Sequence, residues 1–112
     1  MTVELAGLLG PGARYEGSLV FHGRVRIDGE FIGSIRSDDL LEIGPTGRVE
    51  GDVEVAQALV AGRVEGTLRA LERITLLETS SVSGKVVTPW LDVRTGARML
   101  AEVEVYRPEG GG

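Results

Sequence analysis

Val49-Glu50-Gly51-Asp52-Val53 decides the fold, because the chain makes this stretch again and again. Laid over the rest of the sequence, it finds Tyr15-Glu16-Gly17-Ser18-Leu19, Phe31-Ile32-Gly33-Ser34-Ile35, Val64-Glu65-Gly66-Thr67-Leu68 and Val82-Ser83-Gly84-Lys85-Val86. A worn copy follows at Met99-Leu100-Ala101-Glu102-Val103. The apolar leaders stand at 15, 31, 49, 64, 82 and 99, so the steps are 16, 18, 15, 18 and 17 residues. A repeat of about 17 residues reads as one coil of a solenoid, a unit too small to bury its apolar face alone.

Within each unit the pattern is that of short strands. Arg48-Val49-Glu50 alternates out-in-out, and Asp52-Val53-Glu54-Val55 resumes the alternation past Gly51; period two is the strand signature. The other apolar runs are brief: Leu19 to Phe21, Val25 to Ile27, Leu40 to Ile43, Leu59-Val60, Ile74 to Leu77 and Leu91 to Val93. Ala70 to Leu77 is the best helical competitor. Its centre, Ile74-Thr75-Leu76, matches Leu41-Glu42-Ile43 and Leu91-Asp92-Val93, so it is assigned to strand.

The copies lie too close together for antiparallel hairpins to set like positions side by side. A parallel coil does so directly, with each strand paired to its counterpart one turn on at ~4.8 Å. The expected fold is therefore an all-β, single-stranded parallel β-helix of about six coils and about three short strands per coil. The glycines of the motif fall at corners, where a Cβ does not fit or φ is positive. Pro45 and Pro89 mark further turns. Stacking predicts surface ladders: Arg36, Glu54 and Arg69 alternate in sign up one column, while Arg48 faces Arg63 and is relieved diagonally by Glu50 and Glu65.

Composition agrees with one aliphatic domain. The chain has 112 residues, 42% apolar, with only two Phe, two Tyr and one Trp, so Val, Leu and Ile must build the core. Its 17 glycines are about twice the usual share. They fall at repeat positions and not in a low-complexity block. There is no cysteine, hence neither disulfides nor thiol chemistry, as suits a cytoplasmic protein. No transmembrane run or signal-peptide pattern is present. Net charge is −5 with both signs interleaved, which argues against nucleic acid and against polybasic lipid binding as main partners.

No catalytic constellation emerges. His22 is the single histidine, points outward by alternation, and has no second His or Cys to complete a metal site. Ser37-Asp38-Asp39 reads as a turn built on Asp rather than a cation loop. Gly44-Pro45-Thr46-Gly47 has neither the lysine nor the helix of a phosphate loop. The serines lack a histidine base. No cofactor, metal or nucleotide is expected. The alternative is a left-handed, hexapeptide-repeat acyltransferase-like trimer. Val25, Phe31, Ile43, Val49 and Val55 fit a six-residue grid, but Ser37 breaks it and the later steps of 15, 18 and 17 do not keep it.

The run Leu9-Gly10-Pro11-Gly12-Ala13-Arg14-Tyr15-Glu16-Gly17, followed by Val25-Arg26-Ile27-Asp28-Gly29-Glu30-Phe31-Ile32-Gly33, resembles the opening of a bactofilin domain. Asp39-Leu40-Leu41-Glu42-Ile43-Gly44, Val60-Ala61-Gly62-Arg63-Val64-Glu65-Gly66 and Thr88-Pro89-Trp90-Leu91 continue the likeness in order, from about Leu8 to Val105. The resemblance implies a right-handed, triangular β-helix. It further implies a bacterial cytoskeletal scaffold that polymerises without nucleotide into non-polar filaments, often at the inner face of the cytoplasmic membrane. Such scaffolds position cell-envelope, polarity or segregation proteins.

The physics of the coil ends points the same way. A β-helix ends in unpaired N–H and C=O groups over an open core, a templating edge unless it is blocked. Tyr15, Leu19 and Phe21 would cover the first coil; Met99, Leu100, Val103, Val105 and Tyr106 would cover the last. Like end meeting like end is a two-fold contact, and alternating such contacts builds an apolar filament. The expected organisation is a tail over residues 1–12, a β-helix over 13–106 and a short tail over 107–112. Val3, Leu5, Leu8 and Leu9 form an apolar patch on the first tail, readable as a cover for the first coil or as a weak membrane contact.

Overall fold

The computed structural model of the chain describes residues 12–106. Among them the regular elements are nine strands: β1 (Arg14–Phe21), β2 (Val25–Ile27), β3 (Glu30–Ser37), β4 (Leu40–Ile43), β5 (Arg48–Val60), β6 (Arg63–Leu76), β7 (Ser81–Thr88), β8 (Leu91–Val93) and β9 (Arg98–Val105). Every pairing is parallel. One wall runs β1-β3-β5-β6-β7-β9; the other runs β2-β4, the second halves of β5 and β6, then β8. The Ala70 to Leu77 run lies in β6 as strand up to Leu76.

The repeat is the register. Tyr15, Phe31, Val49, Val64, Val82 and Met99 stand one above another, as do Leu19, Ile35, Val53, Leu68, Val86 and Val103. Six copies on one wall enclose about five turns, one fewer than expected, because the sixth copy opens a turn that the described residues do not complete. Turns of 16, 15 and 17 residues, now fixed by pairing, do not keep a six-residue grid.

Unequal turn lengths are absorbed at two places. The turn from Val49 to Val64 is 15 residues and the next is 18. One of the extra residues enters as a shift of register beyond Val55, at the level of Leu71 and Glu72. The other two lengthen the connection after Leu76, where two residues, as between Val60 and Arg63, would otherwise suffice to reach the next strand. Ser80 N–H donates to Leu77 O at 2.9 Å and Thr79 Oγ1 donates to Ala61 O at 2.6 Å, so the longer turn satisfies its own polar groups.

The motif glycine does not break the strand, which is why the walls hold fewer and longer strands than three per coil. β1, β3, β5, β6 and β7 each run through it. Gly17, Gly33, Gly51, Gly66 and Gly84 form one column with φ falling from +138° to +111°. A Cβ on any of the upper four would overlap the carbonyl oxygen of the glycine one coil before. The corner thus needs glycine twice, for its φ and for the approach of backbone to backbone. Ala101 continues the column over Gly84 without a positive φ, so the corner relaxes at the worn copy.

The core is the aliphatic interior predicted, led by Ile27, Phe31, Ile35, Leu41, Ile43, Leu68, Ile74 and Leu76, all essentially inaccessible. Stacked aliphatic columns on a pleated surface are where β-branched residues pack best. Ser37 and Thr88 are the polar members of the Phe21 column. Thr88 Oγ1 donates to Trp90 O at 3.1 Å, and Ser37 Oγ accepts from Asp39 N–H at 3.2 Å. Among the described residues no buried side-chain polar atom is left unpaired.

Candidate self-assembly surface

The two ends of the solenoid differ. Inward-facing residues of the last turn are open: Val93 is 43% exposed, Val103 37% and Val105 56%, while their column partners one turn back, Leu76, Val86 and Thr88, are fully buried. Met99 and Leu91 are half-buried. Leu100 belongs to an outward column and stands at the rim, 86% exposed. Tyr106 is half-buried and its N–H donates to Thr88 O at 3.2 Å. Among the described residues β9 pairs only with β7 and β8 only with β6, so both leave one backbone edge free.

At the first turn the inward residues are covered. Leu19 and Phe21 are buried within one protomer, with Val25 and Ile27 beside them. Tyr15 is the open one, 39% exposed, with its ring stacked on Phe31 at 5.3 Å between centroids. The sequence placed Tyr15, Leu19 and Phe21 together at this end, and the fold brings them together. It also separates Tyr15, at the surface, from Leu19 and Phe21, in the core. Val3, Leu5, Leu8 and Leu9 lie outside the described residues.

Val93 was missed by the sequence reading of the ends. Its column, Ile27–Ile43–Val60–Leu76–Val93, is readable from the Leu91-Asp92-Val93 match, but the wall it closes was not followed to its last member. Val20, which the sequence set in the outward column of Arg36 and Glu54, is more than half exposed; also unforeseen are two outward apolar residues, Leu71 and Trp90, each more than half exposed too. The Arg73 guanidinium lies over the Trp90 ring at 5.6 Å, and pairing places the two side by side on neighbouring coils.

The surface ladders form as the register dictates. Arg36 and Glu54 meet at 3.4 Å, and Arg48 reaches Glu65 diagonally at 3.6 Å. Arg26 bridges Asp28 on its own coil, at 2.9 Å, and Glu42 on the next. Hydrogen bonding to Asp28, and then the charges of both carboxylates, hold its guanidinium protonated beyond its ordinary range. Exposed pairs of this kind are worth well under ~1 kcal/mol each. They choose a register more than they hold a fold.

His22 is on the surface, as alternation indicated, and it has a partner. Its Nδ1 lies 2.8 Å from Asp38 Oδ2 one coil on, in the bend Ser37-Asp38-Asp39. This hydrogen bond, with the attraction of the ring and a backbone N–H, holds the Asp38 carboxyl below its ordinary value. A lowered acid contributes stability above its unfolded-state pKa and loses it as pH falls through the lowered value. His22→Ala is therefore expected to raise the Asp38 titration midpoint read by NMR. An unmoved midpoint would mean the pair is not made in solution. Among the described residues no group of three or more His, Cys, Asp or Glu is placed to hold a metal ion.

The described residues form a parallel β-solenoid with an open apolar last turn, and the sequence matches over residues 7–104 a family model described as "Bactofilin: Polymer-forming cytoskeletal". The chain belongs to the bactofilin family. Two relatives from Myxococcus xanthus (strain DK1622) are similar to it. Bactofilin BacP is 26% identical over 104 residues, covering 93% of this chain and 43% of the relative. Bactofilin BacO is 26% identical over 98 residues, covering 82% of this chain and 78% of the relative. The chain thus spans less than half the length of one bactofilin relative and about four fifths of the other. No solved structure matches it. The family is one of structural cytoskeletal polymers, and no helix among the described residues is long and apolar enough to cross a membrane.

Proposed function

We propose that this bactofilin assembles end to end, without nucleotide, into non-polar filaments that act as a cytoplasmic scaffold. The observation that carries the reading is the open last turn, where Val93, Val103 and Val105 expose side chains that every earlier turn buries. An uncovered apolar end with free strand edges is a template for another chain. Because the end is one surface, its simplest partner is the same end of a second copy, in a two-fold contact of Val105 and Val103 on their symmetry mates. Tyr15, at the opposite end, supplies the exposed ring for a second two-fold contact through the first turn, stacked on Phe31 and carried on the same strand as the buried Leu19 and Phe21. Met99, Leu100 and Tyr106 flank the first contact.

Alternating the two contacts gives a filament whose ends are alike. The role is structural and non-catalytic: chemistry enters only as the stacking of one coil on another. Positioning of cell-envelope or segregation proteins follows from the family reading, as does a station at the inner face of the membrane through Val3, Leu5, Leu8 and Leu9. High-speed sedimentation and negative-stain microscopy of the pure protein without nucleotide are expected to show filaments. A protein that stays monomeric at high micromolar concentration would sink the scaffold reading.

A further inference from the structure

One wall of the solenoid carries two charge stripes of opposite sign. The column before the motif apolar residue holds Arg14, Arg48, Arg63 and Arg98. The column after it, two residues along on the same strands, holds Glu16, Glu50 and Glu65. Both columns face outward, since the residue between them on each strand is the inward member Tyr15, Val49, Val64 or Met99. The intrachain pairs Arg14–Glu16 at 2.9 Å and Arg48–Glu65 at 3.6 Å use one nitrogen and one oxygen each. A guanidinium has five donors and a carboxylate about four acceptor sites, so both stripes keep capacity for a second partner.

We propose that this wall is a lateral contact between two copies of the chain, related by a two-fold axis parallel to the solenoid axis. Such a rotation exchanges left and right but not up and down. Each basic stripe then lies on the partner's acidic stripe at the same level: Arg14 meets the partner's Glu16, Arg48 the partner's Glu50, and Arg63 the partner's Glu65, each contact occurring twice. The remaining levels set Glu30 against Ile32, Ser81 against Ser83 and Arg98 against Leu100, so no like charges meet. The other way of facing the wall to itself, a two-fold perpendicular to the axis, lays stripe on like stripe. Centred on the wall, it would bring Arg48 onto the partner's Arg63 and Glu50 onto the partner's Glu65. The charge pattern selects one symmetry and rejects the other.

For filaments this rests on the end-to-end assembly proposed above. The selected axis maps a protomer pointing up onto one pointing up and a protomer pointing down onto one pointing down, so it is compatible with two filaments of alternating protomers side by side. Each exposed pair contributes under ~1 kcal/mol, too little to couple two monomers. Repetition along two filaments sums the contacts, because each one formed presents the next at high effective concentration. The contact is electrostatic, and screening shortens from ~10 Å at 0.1 M salt to ~3 Å at 1 M.

The test uses the full chain. Low-speed pelleting reads bundles and high-speed pelleting reads total polymer, with negative stain as the image of each. Between ~0.05 M and ~0.5 M NaCl, bundled protein is expected to fall several-fold while total polymer holds. Arg48→Glu/Arg63→Glu and Glu50→Arg/Glu65→Arg should each give single filaments alone and bundles when mixed in equal amounts. The fourfold exchange Arg48→Glu/Glu50→Arg/Arg63→Glu/Glu65→Arg keeps composition and net charge. It should bundle with itself and, as labelled filaments formed before mixing, segregate from preformed wild-type filaments. Either double variant bundling alone as wild type does, preformed fourfold-exchange filaments bundling with preformed wild-type filaments, or wild-type filaments staying single at low salt would overturn the proposal. A wild-type protein that forms no polymer overturns the assembly reading instead.

Discussion

Val105→Arg is expected to remove polymer from the high-speed pellet while leaving the β-sheet circular dichroism spectrum unchanged. Val105 points inward over Thr88, has no coil above it among the described residues, and is 56% exposed. Arginine there meets water in the lone protomer, so folding is little affected. In a like-to-like contact the same side chain is desolvated against an apolar end and opposed by its own symmetry mate. Leaving a charge unpaired in such a place costs several kcal/mol, and the two-fold makes the change count twice. At 1.4 kcal/mol per tenfold, the critical concentration is expected to rise by at least ~100-fold. Val105→Arg filaments at the wild-type concentration would place the contact elsewhere. Phe21→Arg is the instructive contrast. Phe21 is 1% exposed, so the same change at the other end is read as loss of fold rather than loss of assembly.

Gly66→Ala should unfold the protein, or nearly so, while Gly17→Ala should not. Both glycines have φ well into positive territory, +122° and +138°, a conformation that strains any L side chain by about 1–3 kcal/mol. They differ in what lies beneath. A methyl on Gly66 would overlap the Gly51 carbonyl, which is backbone in a paired strand and has nowhere to go. Among the described residues, a methyl on Gly17 meets only the Tyr15 ring, at ordinary contact of 3.6 Å. Adding about 1–3 kcal/mol for overpacking gives Gly66→Ala a loss of about 2–6 kcal/mol, a large part of a 5–15 kcal/mol margin. Urea melts of both variants in the Val105→Arg background, where polymer does not add to apparent stability, would check the difference. Equal midpoints for the two would refute the backbone-contact account of the glycine column.

The predictions divide along a line that runs through the molecule. Residues inside the repeat were legible. Each motif copy named from the sequence pairs with the next in the register its spacing implied, from Tyr15↔Phe31 to Val82↔Met99. Even the Arg48–Arg63 clash and its diagonal relief by Glu65 could be read, because a parallel stack turns sequence spacing directly into neighbours. The strand count was not legible. A glycine corner looks like a strand break in one dimension, but the ladder runs through it because its column is glycine in every turn but the last.

The ends were legible only in part. Repetition says where stacking stops, and Met99 to Val105 stand where it stops. It does not say whether the last-stacked residues are open. Leu19 and Val103 occupy the same column at opposite ends; one is buried and the other 37% exposed. That difference is a tertiary fact, not one that the shared column carries. Nor could Leu71 be known as an exposed apolar residue, since it owes its outward place to the shift of register beyond Val55.

By itself, then, the sequence determined the solenoid, its register, its glycine corner and the family, because all four follow from one spacing repeated along the chain. The tertiary structure decided the number of closed turns, the asymmetry of the two ends and the outward place of Leu71 at the shift of register beyond Val55. Those depend on where each coil closes and which way its outward side chains point, and neither is a property of any single repeat.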